Sequence, residues 1–263
     1  MKKFLFILLQ KLDLFDFLKI IKDKYFRFGA SKREFDKRVN FYSQFISNGD
    51  LCFDVGANYG NRTEAFLELG AKVVAIEPQP KPLRFLKRRF KDRVTIVDKA
   101  LGEIEGTVSL FISSSTSLTS ASKEWVDKVS NGRFSKASWN DQILVPLTTL
   151  DQLIKKYGKP EFCKIDVEGY EFEVIKGLSD SIHIISFEYT IPEFTDKAIM
   201  CIDHLNSIGK IECNYSVGET LKLALDYWSE PEKFISLFNQ LHLNGIIDGD
   251  IYVRFISKIS YEK

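Results

Sequence analysis

Histidine, methionine and cysteine are scarce in this chain of 263 residues, which holds three, two and four of them. The cysteines (Cys52, Cys163, Cys201 and Cys213) form no C-x-x-C pair, so neither a zinc site nor a disulfide framework is expected. Cys52 and Cys163 fall inside apolar strand patterns, where cysteine acts as a small buried hydrophobe. Such usage suits a reducing cytoplasm. No apolar run approaches the ~20 residues that cross a bilayer. A net charge of +1 gives no global field toward nucleic acid. Internal repeats, low-complexity tracts and obvious linkers are missing as well. What remains is 44% hydrophobic content, ample for one α/β domain of ordinary size.

The most informative stretch is Leu51-Cys52-Phe53-Asp54-Val55-Gly56-Ala57-Asn58-Tyr59-Gly60. An apolar run ends in Asp54, a turn with Gly56 and Gly60 follows, and a helical pattern occupies residues 61–69. Strand, glycine turn and helix in that order open a nucleotide-binding βαβ unit. The next strand, Lys72–Ile76, ends in Glu77, spaced from the turn so that it can accept both ribose hydroxyls of a nucleoside. Two ligand classes share this geometry. A dinucleotide site needs further glycines where this chain has Asn58 and Asn61, which disfavours NAD. The D-x-G-x-x-x-G turn better suits a ligand without phosphate there, such as S-adenosylmethionine.

Strand patterns continue at 94–98, 107–112, 144–147, 162–167, 183–188, 211–217 and 251–256. Helical patterns cover 32–46, 83–90, 150–157, 170–178, 195–208 and about 219–243. Strands alternating with helices give a mostly parallel sheet with helices on both faces. Ligands bind such sheets at the carboxyl ends of the strands. Asp54, Glu77, Asp98, Asp166 and Glu188 all fall at or just past such ends, though each could instead cap the following helix. Residues 113–140 read as a long Ser/Thr-rich loop carrying Trp125, Phe134 and Trp139. These rings suit stacking on a sugar face, or alternatively anchor the loop to the core.

The first 38 residues hold eleven Lys/Arg against five Asp/Glu. Apolar residues recur at helical spacing over residues 5–21. Residues 1–47 are therefore expected to be an N-terminal helical extension, and 48–263 the main domain. The segment 1–28 either packs on the core or a second subunit, or lies on an anionic membrane surface.

Together, Phe53-Asp54-Val55-Gly56-Ala57-Asn58-Tyr59-Gly60, Ile76-Glu77-Pro78, Lys99-Ala100-Leu101-Gly102, Thr149-Leu150-Asp151 and Lys164-Ile165-Asp166-Val167-Glu168-Gly169-Tyr170-Glu171 resemble the FkbM family of methyltransferases over residues 51–190. The resemblance implies a class I, Rossmann-like methyltransferase fold: a seven-stranded, mostly parallel sheet with a last antiparallel strand. It implies S-adenosyl-L-methionine as cofactor and O-methylation of a natural product or sugar. Carried over by position, the turn of Asp54, Gly56, Asn58 and Gly60 would hold the methionine part, Glu77 the ribose, Asp98 and Ala100 the adenine, and Asp166 the methionine end.

The methyl acceptor would be a hydroxyl of a sugar, glycan or glycolipid precursor, and its proton must be taken. His183, His204 and His242 are poorly placed for this. Glu168 and Glu188 are the candidate bases, with Asp166 beside them, and a metal held by the same carboxylates stays open. An NAD-dependent oxidoreductase and a catalytically silent interaction module are the competing functions. No Asn/Asp-Pro-Pro-Tyr tetrapeptide occurs, so nucleic acid is not the expected acceptor. A homo-oligomer and a cytoplasmic location, peripheral at the inner membrane face if residues 1–28 bind lipid, complete the expectations.

Overall fold

The computed structural model of the chain describes residues 30–256. The helix expected over residues 5–21, with its membrane or packing role, lies outside them. Among the described residues no helix is long and apolar enough to cross a membrane.

The chain runs through α1 (Ala30–Tyr42), β1 (Leu51–Val55), α2 (Asn61–Glu68), β2 (Lys72–Ile76), α3 (Pro80–Phe90) and β3 (Thr95–Val97). Next come β4 (Ala100–Leu101), β5 (Gly106–Ile112), α4 (Lys123–Ser130), β6 (Asp141–Thr148), α5 (Leu150–Tyr157) and β7 (Phe162–Ile165). It closes with α6 (Glu171–Lys176), β8 (Ile184–Thr190), α7 (Thr195–Ile208), β9 (Ile211–Tyr215), α8 (Pro231–Phe238) and β10 (Asp248–Phe255).

Seven strands form one sheet in the order β3-β2-β1-β7-β8-β10-β9. Only β10 runs antiparallel to its neighbours. The order reverses between β1 and β7, and that switch point opens a crevice at the carboxyl ends of the strands. Continuous apolar runs make the central strands: β1 and β7 are buried on both faces.

Helices cover both faces. On one side Phe53, Ile76, Ile165 and Phe187 pack with α5 to α8. On the other, Phe41, Tyr42, Phe45 and Phe66 pack over Cys52, Phe162 and Tyr252. The Phe45 ring stacks at 5.6 Å on Phe162 and at 5.4 Å on Tyr252, so α1 and the turn after it belong to the same core as the sheet. All four cysteines are buried in these layers.

Three elements depart from the sequence expectation. Residues 107–112 and 144–147 do not join the main sheet. β5 and β6 pair with each other, and β4 adds to β6, as a separate three-stranded sheet. Their alternating apolar pattern signals one solvated face, unlike the continuous runs of the central strands. Residues 113–140 are not all loop. Ser122 caps α4 by accepting a hydrogen bond from the Trp125 N–H at 3.1 Å. Finally, residues 219–243 are not helical throughout. Pro231 can only start a helix, so α8 begins there. Asn214 holds residues 225–227 irregular through the Leu225 carbonyl and N–H and the Tyr227 carbonyl.

Candidate active site

A cavity of about 410 Å³ occupies the switch point. One end lies between β1 and β2. Asp54 is buried at the end of β1 and accepts a hydrogen bond from Thr63, and burial raises its carboxyl above the usual range. Gly56 and Gly60 adopt left-handed backbone angles, φ 80° and 79°. A Cβ on Gly56 would strike the Asp166 carbonyl, and one on Gly60 the Phe90 ring. These glycines allow β1, β7 and α3 to close on one another. Asn58 also sits left-handed, at φ 47°, a conformation asparagine tolerates better than most residues. Its N–H thereby donates to Glu77 Oε2 at 2.7 Å, while the Gln79 N–H donates to Oε1 at 2.7 Å. Glu77 is 1% exposed, and burial pushes its carboxyl up to about 7.

Apolar walls come from Ile76, Ala100, Leu101 and Leu110, the last from β5. Thr116 and Thr119, in the turn after β5, line the same side, and Gln79 Nε2 donates to the Thr116 carbonyl at 3.0 Å. The small sheet thus forms one wall.

The other end gathers carboxylates. Asp166, Glu168 and Glu188 line the cavity, each with an oxygen within 4.8 Å of the others'. Beneath them lies Lys164, fully buried within β7, 2.7 Å from Asp250 and 3.4 Å from Asp166. Burial alone would raise the Asp166 carboxyl, but the Lys164 and Arg62 cations hold it below the ordinary value. Glu168 and Glu188 rise well above theirs, through burial first and then through neighbouring carboxylates. Glu168 stands at φ 56° and Gly169 at φ 85°, and a Cβ on Gly169 would run into the Trp125 indole. Ser120 Oγ donates to the Glu168 carbonyl at 2.6 Å. The segment around α4 therefore sets where Glu168 points.

Of the residues singled out in the sequence, Asp54, Gly56, Asn58, Glu77, Ala100, Asp166, Glu168 and Glu188 line this one cavity. Gly60 supports it from behind. Asp98 does not line it: it lies past the end of β3, is exposed, and pairs with Lys87 at 3.6 Å. Trp125, Phe134 and Trp139 do not line it either. They form a satellite core with Val126, Val129 and Phe194, which anchors α4. No histidine lines the cavity. Sequence reasoning missed Lys164, although a lysine inside an apolar strand demands charged partners. It also missed Arg62, Ser120 and Glu219, whose partners are far away in sequence.

The model of the FkbM methyltransferase domain matches residues 54–217, most of the chain. The chain belongs to the FkbM methyltransferase family. A curated relative, hexuronic acid methyltransferase AglP of Haloferax volcanii, is 30% identical over 141 residues, covering 52% of this chain and 54% of its own. The chain thus spans about half the length of that relative. Solved structures resemble it more distantly. A TehB-like methyltransferase of Corynebacterium glutamicum gives 9% identity and a TM-score of 0.44, over 84% of this chain and 88% of that one. A precorrin-6y C5,15-methyltransferase of Geobacter metallireducens gives 12% and 0.42, over 84% and 87%.

Residues 54–217 form an FkbM methyltransferase domain on a seven-stranded, class I methyltransferase sheet, and the cofactor of that family is S-adenosyl-L-methionine. The cavity fits that cofactor. Glu77 keeps acceptor capacity toward the cavity in a dry setting, Gly56 leaves room where a side chain could not stand, and no phosphate-binding glycine replaces Asn58.

Proposed function

We propose that the enzyme methylates a hydroxyl of a sugar, glycan or glycolipid precursor. The observation that carries this reading is the pair Glu168 and Glu188 at the carboxylate-lined end of the cavity. Bound S-adenosylmethionine supplies an electrophilic methyl group on a sulfonium centre. The residues of this chain must hold the acceptor oxygen in line with it and remove a proton. Burial and the neighbouring carboxylates hold both carboxyls well above the ordinary value, and whichever of them ionises is a strong acceptor for the hydroxyl proton. In this reading Glu77 accepts the ribose hydroxyls, the turn from Asp54 to Gly60 holds the methionine part, Ala100 borders the adenine and Asp166 pairs with the ammonium group. The catalytic unit spans 48–263, with α1 and the turn after it packed into the same core. The sugar acceptor is supported by the name of the relative, which methylates a hexuronic acid.

Incubation with S-adenosylmethionine and a panel of neutral hexoses and uronic acids tests this, with release of S-adenosylhomocysteine as readout. Release that depends on a saccharide is expected. Tight cofactor binding without release on any saccharide would refute the acceptor class.

The clustering of Asp166, Glu168 and Glu188 favours a second reading, in which these carboxylates hold a divalent cation that orients the acceptor. Turnover abolished by a chelator and restored by magnesium would favour it over a carboxylate base.

A further inference from the structure

Arg62 is a cavity cation with no part in the roles assigned above. It stands in the first turn of α2, lines the cavity at the Asp166 end, and its side chain is 17% exposed. Its Nη2 donates to Glu219 at 2.6 Å. Glu219 also lines the cavity, but its side chain is 68% exposed, on the irregular segment after β9. The Arg62 Nε is buried and has no hydrogen-bond partner among the described residues. Asp166 and Asp250 lie within electrostatic reach, yet both already pair with Lys164. Tyr42 also faces Arg62, and burial keeps its phenol neutral by raising it.

A guanidinium presents five donors in a planar fork that matches a carboxylate. Here the one carboxylate bonded to that fork is an exposed side chain on an irregular loop, beside the neutral Tyr42 phenol. A buried cation needs a partner, whereas an exposed glutamate loses little by turning to water. The pair is therefore built for exchange.

We propose that Arg62 binds a carboxylate of the ligand, and that Glu219 takes that carboxylate's place in the free protein. The inference rests on the cofactor occupying the Asp54–Glu77 cavity. A carboxylate can come from two sources: the amino-acid part of the cofactor, or a sugar acid as acceptor.

Calorimetry on the full chain separates them. The ligands are S-adenosylhomocysteine, 5′-methylthioadenosine (the same nucleoside without the amino-acid carboxylate) and glucuronate added to the S-adenosylhomocysteine complex. Arg62→Gln should weaken one carboxylate ligand by about tenfold or more, the scale of a lost charge-assisted pair, and leave methylthioadenosine unchanged. Arg62→Lys, which keeps the charge without the fork, should fall between. Glu219→Gln should bind the same ligand equally or more tightly, because the competitor is gone. Weakened S-adenosylhomocysteine assigns the carboxylate to the cofactor; weakened glucuronate with unchanged S-adenosylhomocysteine assigns it to the acceptor. The proposal is overturned if neither ligand depends on Arg62, or if methylthioadenosine weakens equally. If wild type binds neither nucleoside, the cofactor placement itself falls and takes this inference with it.

Discussion

Glu77→Gln is a sharp perturbation because it separates stability from binding at one buried atom pair. In the folded protein the Glu77 carboxyl sits at about 7, against an ordinary 4.5, because burial penalises the charge. A folded value above the unfolded one means that the stabilising contribution is complete below about 4.5. It is lost as pH rises through the folded value. At ~1.4 kcal/mol per unit, the loss totals about 3 kcal/mol. Glutamine cannot titrate, so its stability lacks this slope. It has a cost of its own: the Asn58 and Gln79 N–H groups both need an acceptor, and an amide offers one oxygen. Leaving one of them facing an amide donor costs about 1–3 kcal/mol. Urea denaturation of both proteins without ligand, from about pH 4.5 to about pH 8, should show wild type the more stable at the acid end. That advantage should shrink by about 3 kcal/mol toward the alkaline end. Calorimetry near pH 8 should show S-adenosylhomocysteine binding weakened by about tenfold or more, as a charged acceptor for hydroxyls is gone. Stability curves that stay parallel across this range would refute the burial argument. Unchanged affinity would refute the ribose assignment.

Gly56→Ala should abolish cofactor binding and destabilise the fold by about 2 kcal/mol or more, because the new methyl meets the Asp166 carbonyl; thermal melting and calorimetry check it. Asp166→Asn should weaken cofactor binding, whereas Glu168→Gln and Glu188→Gln should spare binding and lower kcat; full turnover in both glutamine variants would remove them as bases. Ser120→Ala should lower kcat with little change in cofactor affinity, since it releases the Glu168 carbonyl rather than a cofactor contact. Phe45→Ala, which removes a ring stacked between Phe162 and Tyr252, should cost about 3–5 kcal/mol in urea denaturation without altering KM.

The part of this site that was legible in sequence is the part built from local signals. Asp54, Gly56, Gly60 and Glu77 follow from a strand, a turn and the next strand, and their spacing is set by chain geometry. Asp166 and Glu188 follow from the rule that ligands sit at carboxyl ends. Asp98 satisfied the same rule but does not line the cavity, because it lies beyond the last paired residue of β3 and turns to Lys87 in solvent. The main sheet was readable from continuous apolar runs. The small sheet was legible as strands but not as a separate sheet, because its half-solvated strands alternate, and alternation does not say which sheet a strand joins.

The illegible remainder depends on long-range contact. Ser120 reaches Glu168 across 48 residues, and Arg62 reaches Glu219 across 157. Trp125 carries no mark distinguishing a ring that binds sugar from one that backs a glycine. Here it does the latter, against Gly169. Asn214, which holds residues 225–227 out of a helix, is equally silent in a window of local sequence. Lys164 is the exception that could have been found, since a lysine between Cys163 and Ile165 in a buried strand has to be paired.

The most direct test of the account is the chemical form of the product. The enzyme should be given S-adenosylmethionine with a deuterated methyl group and the saccharide panel, and the product analysed by mass spectrometry and by mild alkaline hydrolysis. Methyl transfer from the cofactor to a saccharide hydroxyl is predicted, as an alkali-stable ether, with formation suppressed in the Glu168→Gln, Glu188→Gln double variant. An alkali-labile methyl ester on a sugar carboxylate, or an ether formed at full rate by the double variant, would contradict it.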